Sequence, residues 1–136
     1  TLTGTFNSIK FSYFHYPYPL LEHTTPFQGV AIAHPLDIAA MKLVAITTRG
    51  TKKDYVDLYE LIQQGITLEI MFPAYDKKYH LLETNRFSLV KALQYFDEAD
   101  ESDMPLMIHP VSWEEVKGFF EKESLRLGRD YIDSNS

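Results

Sequence analysis

Lys42, Arg49, Asp54 and Asp57 are the residues whose types and spacing suit them to chemistry. All four fall in one stretch, His34–Tyr59, which reads HPLDIAAMKLVAITTRGTKKDYVDLY. A lysine in the middle of an apolar helix needs a carboxylate or an anionic ligand, because a desolvated cation is costly on its own. Helical geometry puts Arg49, seven residues on, near the same face as Lys42. A short turn then delivers Asp54 and Asp57, and an antiparallel helix pair would carry them to Lys42. Two readings follow from this pattern. In one, Lys42 snorkels into a structural salt bridge and Asp54 is only a helix-capping acid. In the other, Lys42 and Arg49 grip phosphates while an acid orients them.

The elements that must position these residues are legible on either side. Pro35 suits a first helical position, where its missing N–H costs nothing, and Asp37 falls in the positive first turn. From Leu36 to Ile46 the residues are apolar almost all round, which predicts a buried helix. Gly50 supplies its stop, and Thr51 caps a second helix with Asp54 three residues later. Upstream, Leu2–Phe6 and Ile9–Tyr16 read as a β-hairpin about Asn7-Ser8, ended by Pro17-Tyr18-Pro19. Leu20–Gln28 reads as loop and Gly29–Ala33 as a third strand. Downstream, Gly65 closes the second helix, and Thr67 caps a third over Leu68–His80, kinked at Pro73. Asn85 is expected to cap a fourth helix over Arg86–Phe96. Asp97–Asp103 reads as a solvated acidic loop. Ser112 opens a final helix with Val116, Phe119 and Phe120 facing inward, and Gly128–Ser136 is expected to fray. The expected class is α+β: a small β-hairpin or sheet region over residues 1–33, then a helical bundle over 34–136, as one domain.

The pattern DIAAMKLVAITTRGTKKDYVDLYELI resembles the AbiEii/AbiGii toxin family of nucleotidyltransferase-like proteins. The family's signature is a Lys, an Ala and an Arg, then an Asp-aromatic-hydrophobic-Asp cluster. Here those positions are Lys42, Ala45, Arg49, Asp54 and Asp57. IKFSYFHYPYPLLE, DKKYH, KALQYFDEAD and WEEVKGFF resemble flanking parts of one subgroup. The resemblance implies that the strands complete the sheet of a nucleotidyltransferase core and that the helices form its C-terminal part. It implies a bacterial toxin of a toxin–antitoxin or phage-defence pair, transferring nucleotides from NTP with Mg²⁺; the cytoplasmic location expected of it comes from the absence of cysteine. NTP, an antitoxin protein and an RNA or protein acceptor are the implied partners. Lys42 and Arg49 would bind the nucleotide, Lys42 and Asp54 would be catalytic, and Asp57 would support them. The family's metal motif, a Gly-Ser or Gly-Gly turn followed by paired acids, is absent, so no metal ligand is assigned and Mg²⁺ is expected only with a preceding half. Ser12 stands where many relatives carry a third carboxylate. A catalytically inactive relative acting as a binding or interaction module is the alternative reading.

Composition narrows the classes. With 136 residues, 45% of them hydrophobic, the chain suits one globular core. A net charge of −6 argues against a general nucleic-acid surface but leaves room for a local basic pocket. There is no cysteine, hence neither disulfide nor thiolate chemistry. The five histidines are scattered without ligand spacing, which argues against zinc. No run is long and apolar enough to span a membrane. Tyr13, Phe14, Tyr16 and Tyr18 resemble a stacking surface for bases, although aromatic strands more often build a core.

The opening Thr1-Leu2-Thr3-Gly4-Thr5 reads like the middle of a sheet, so a longer protein is expected. The product of the natural reading frame should exceed 15.8 kDa by about a domain's worth of residues. An intact mass near 15.8 kDa would remove the enzyme reading.

Overall fold

The computed structural model describes residues 1–136 and is α+β, as expected. Strands β1 (Leu2–Phe6) and β2 (Ile9–Tyr13) pair antiparallel, with Leu2 opposite Tyr13 and Phe6 opposite Ile9. Asn7 and Ser8 both take positive φ, 49° and 65°, as a tight two-residue hairpin turn demands. Phe11 lies opposite Gly4 and lays its ring over it, so a side chain at position 4 would collide with that ring. The second strand stops at Tyr13, short of the expected Tyr16.

A second, separate hairpin joins β3 (Thr25–Phe27) to β4 (Val30–Ile32). The strand near Gly29–Ala33 was expected; its partner β3 was not. Pro26 obscures it, but on a two-stranded ribbon one side of each strand needs no ladder bond, so proline is tolerated. The turn signal was present in Gln28-Gly29, both at positive φ, 49° and 80°.

The helical body follows: α1 (Pro35–Arg49), α2 (Lys52–Gln63), α3 (Leu68–Tyr79), α4 (Leu82–Ala92), α5 (Asp97–Asp100) and α6 (Trp113–Ser134). Helix α1 is central and packs against α2, α3 and α4. The Nδ1 atom of His34 accepts from the Leu36 amide and caps it. Ala39, Ala40, Leu43 and Ile46 go into the core. Gly50 ends α1 in an extended conformation (φ −72°), so its role is not conformational freedom. A Cβ there would lie 3.0 Å from the Tyr55 ring and 3.1 Å from Ile46 Cα, so the glycine permits a close turn.

Tyr55 knits the far side of the bundle. Its hydroxyl donates to the carbonyls of Ala92 (2.7 Å) and Tyr95 (2.8 Å), and its ring packs edge-on against Phe96, Trp113 and Phe120. Three later expectations are corrected. Helix α4 begins at Leu82, and Asn85 lies inside it, donating to the Tyr75 hydroxyl (2.9 Å). The cap is made instead by Asp76, which accepts from the Leu82 amide at 3.0 Å. The acidic loop contains the short helix α5, with Ala99 buried and Asp100 accepting from Trp113 Nε1 and Lys117. The tail does not fray at Gly128: α6 runs to Ser134, and Ser124 donates to the Val90 carbonyl (2.7 Å) to hold it on α4. Pro73 sits within α3, where the ring faces solvent and the helix continues past it.

One charged pair lies wholly inside. Lys78 Nζ of α3 donates to Asp37 Oδ1 of α1 at 2.6 Å, and both side chains are 0% exposed. Asp37 also accepts from the amides of Leu21 (2.9 Å) and Glu22 (3.2 Å). Burial pushes the Asp37 carboxyl up, but the hydrogen bonds from Lys78, Leu21 and Glu22 outweigh it and hold it below the usual range. A depressed carboxylate stabilises the fold fully above its unfolded pKa, about 3.9, and loses that contribution as pH falls through its folded value. Asp37→Ala, which leaves Lys78 buried alone, should cost about 3–5 kcal/mol in urea unfolding at pH 7 and flatten the acid limb of stability. Asp37→Leu with Lys78→Met should remain less stable than the parent, because two amides still lack an acceptor. A double variant as stable as the parent would show that the pair is dispensable.

Candidate functional site

The turn between α1 and α2 assembles most of the predicted cluster. Thr51 caps α2, and its amide (3.0 Å) and hydroxyl (3.1 Å) both donate to Asp54 Oδ2. The other Asp54 oxygen accepts from Lys42 Nζ at 2.8 Å. Asp57, one helical turn on, lies 2.8 Å from the same ammonium through Oδ2. Lys42 is therefore clamped between two carboxylates, as the sequence spacing implied. The clamp is partly wet: the side chains of Lys42, Asp54 and Asp57 are 21%, 15% and 38% exposed.

Burial alone would lower the Lys42 ammonium, but hydrogen bonds to Asp54 and Asp57 raise it above an ordinary lysine. Burial raises the Asp54 carboxyl, and Lys42 with the Thr51 amide and hydroxyl pull it below its ordinary value. Both groups are held charged around neutral pH. A carboxylate with a lowered pKa is a weak proton acceptor, so the arrangement favours Asp54 holding Lys42 in place over abstracting a proton.

Arg49 stands apart. It lies near the Lys42 face of α1 but is exposed and has no carboxylate within ion-pair distance. It borders a polar hollow of roughly 610 Å³ shared with Thr51, Asp97, Glu98, Glu101 and Ser102. Lys53 is exposed. Lys52 is not free in solvent: its Nζ donates to the carbonyls of Asp100 (3.2 Å) and Ser102 (2.8 Å), tying α5 to the start of α2. Ser12 is exposed on β2.

These residues do not fit a divalent metal. Both Asp54 oxygens are already engaged, Asp57 is shared with the same ammonium, and a metal there would sit against Lys42. No group of three acids or histidines forms a ligand cluster elsewhere.

Two features escaped the sequence reading. Asp37 and Lys78 were visible only as a first-turn acid and as part of DKKYH, and their pairing depends on how α1 crosses α3. Tyr16 and Tyr18 gather with Tyr75 and Tyr79 of α3, whereas Tyr13 and Phe14 stay exposed on or beside the first hairpin. The aromatic spacing of the Tyr-Pro segment was the available signal, but not its destination.

Because the clamp is partly solvated, Lys42→Met should cost only about 1 kcal/mol in urea unfolding. A loss above roughly 3 kcal/mol would mark Lys42 as a structural strut, the cost expected of a broken buried pair.

Comparison with known proteins gives two matches and one absence. The family described as "Nucleotidyl transferase AbiEii toxin, Type IV TA system" matches residues 11–133. An uncharacterized protein of Aquifex aeolicus (strain VF5) is 42% identical over 127 residues, covering 90% of this chain and 59% of that protein. The chain thus spans about three-fifths of the length of the curated relative it matches. No solved structure matches the chain. Because that match covers most of the chain, including α1, the turn at Gly50 and α2, the chain belongs to the AbiEii nucleotidyl transferase toxin family.

Proposed function

We propose that this chain forms the later portion of a toxin that transfers nucleotides from NTP to an RNA or protein acceptor, with Mg²⁺. The observation that carries this reading is the Lys42 ammonium, fixed by two carboxylates yet still in reach of solvent, on a helix that also presents Arg49. A cation pinned in this way has lost its rotameric freedom before a ligand arrives, so less entropy remains to be lost on gripping a phosphate. Arg49 has its donors free to form a bidentate contact with phosphate oxygens. Asp54 acts through Lys42, orienting it, and Asp57 supports the same ammonium. When bound, Mg²⁺ would supply electrostatic stabilisation for the phosphoryl transfer. Carboxylates other than Asp54 and Asp57 would have to hold it.

A second reading is favoured by that same engagement of both acids: a non-catalytic relative that binds nucleotide or a partner. An antitoxin remains a proposed partner under either. No helix is long and apolar enough to cross a membrane, and a cytoplasmic location is proposed with the toxin role.

In the full-length protein, Lys42→Ala should abolish NTP consumption and relieve toxicity, and Arg49→Ala should raise KM for NTP by roughly tenfold, a loss of about 1.4 kcal/mol. Unchanged turnover and toxicity in Lys42→Ala would overturn the enzyme reading. Saturable NTP binding with no turnover in the parent would establish the second.

A further inference from the structure

A groove of roughly 410 Å³ opens where α1, α3 and α4 meet the Tyr16–Tyr18 segment. Its walls are aromatic. Tyr18 sets its ring edge-on against Tyr16 (5.2 Å between centroids) and Tyr79 (4.6 Å), yet remains 45% exposed. The Tyr16 and Tyr79 hydroxyls bond to each other, which fixes both rings. Lys78 Nζ lies 5.1 Å from the Tyr16 ring, so the buried Asp37 pair also buttresses this wall.

The groove has a polar end. Asn85 Nδ2 donates to the Tyr75 hydroxyl at 2.9 Å, which leaves the Asn85 amide oxygen without a protein donor. No buried side-chain polar atom in the protein lacks a partner, so that oxygen is open to the groove or solvent. Along α1 the groove is bordered by Ala45 and Thr48. Ala45 is three residues from Lys42 and four from Arg49, which places it on the same face as both. Ala45 therefore lines the groove on the side of α1 that carries both cations.

We infer that this groove receives the base of the nucleotide, with Tyr18 stacking on it and the Asn85 oxygen accepting from an exocyclic amine. The inference rests on the proposed nucleotide-binding role and assigns the part of the ligand that Lys42 and Arg49 do not hold. Stacking alone tolerates any base, because every base has a π-face. The Asn85 acceptor adds a preference for bases carrying an amine, so ATP should bind better than UTP.

Calorimetry on the full-length protein with ATP, UTP, adenosine and inorganic tripolyphosphate tests this. Tyr18→Ala should weaken ATP and adenosine binding roughly tenfold while leaving tripolyphosphate unchanged. Thr48→Trp, at an exposed position on the rim, should do the same by filling the groove, so the test survives if Tyr18→Ala fails to fold. ATP affinity equal to the parent in both variants, or no binding of either ATP or adenosine, would overturn the inference. Adenosine binding that is lost in Tyr18→Ala, with no tripolyphosphate binding, would uphold the base groove and sink the phosphate role of Lys42 and Arg49.

Discussion

The buried contact between Asp37 and Lys78 is the constraint on which the rest of the molecule depends. Two opposite charges with no solvent exposure cannot be separated without leaving one of them desolvated and alone. Asp37 therefore fixes the crossing of α1 on α3, and through the Leu21 and Glu22 amides it fixes the segment that joins the two hairpins. The Tyr16 ring stands over the same ammonium. One carboxylate thus registers three segments that are distant in sequence.

The cluster between α1 and α2 uses similar chemistry in a wetter setting. Lys42, Asp54 and Asp57 satisfy one another, and Asp54 also holds the Thr51 amide that opens α2. A structural reading and a functional reading are not exclusive here. The ion pair that closes the helix turn also points an ammonium in a fixed direction, and its partial exposure leaves that ammonium available to a ligand. The contrast with Lys78 is instructive: it makes a comparable bond, but it is sealed in, so it can only be structural.

The two hairpins stand in another relation to the core. Their turns are well specified by positive-φ residues, yet most strand residues are exposed on both faces, including Phe6, Ile9, Tyr13, Phe27 and Val30. A lone two-stranded ribbon is marginal in water, so such apolar faces are expected to matter for what packs on them.

The sequence by itself determined the class, the start of α1 at Pro35, the Thr51 cap, the hairpin turn at Asn7-Ser8, and the delivery of Asp54 and Asp57 to Lys42. Each of these is local: a cap, a turn or a short connection brings together residues within about fifteen positions. The start of α4 was misplaced because Asn85 resembles a cap, while the Leu82 amide is satisfied by Asp76 from the preceding helix. β3 and α5 were missed because proline and acidic runs read as loop, and pairing or packing overrode that preference. Only the tertiary structure decided that Asp37 meets Lys78 across forty-one positions, and that Tyr16 and Tyr18 join Tyr75 and Tyr79 beside Ala45. Helix crossing sets those meetings, and the charge and aromaticity of single positions say that a partner is needed without saying which.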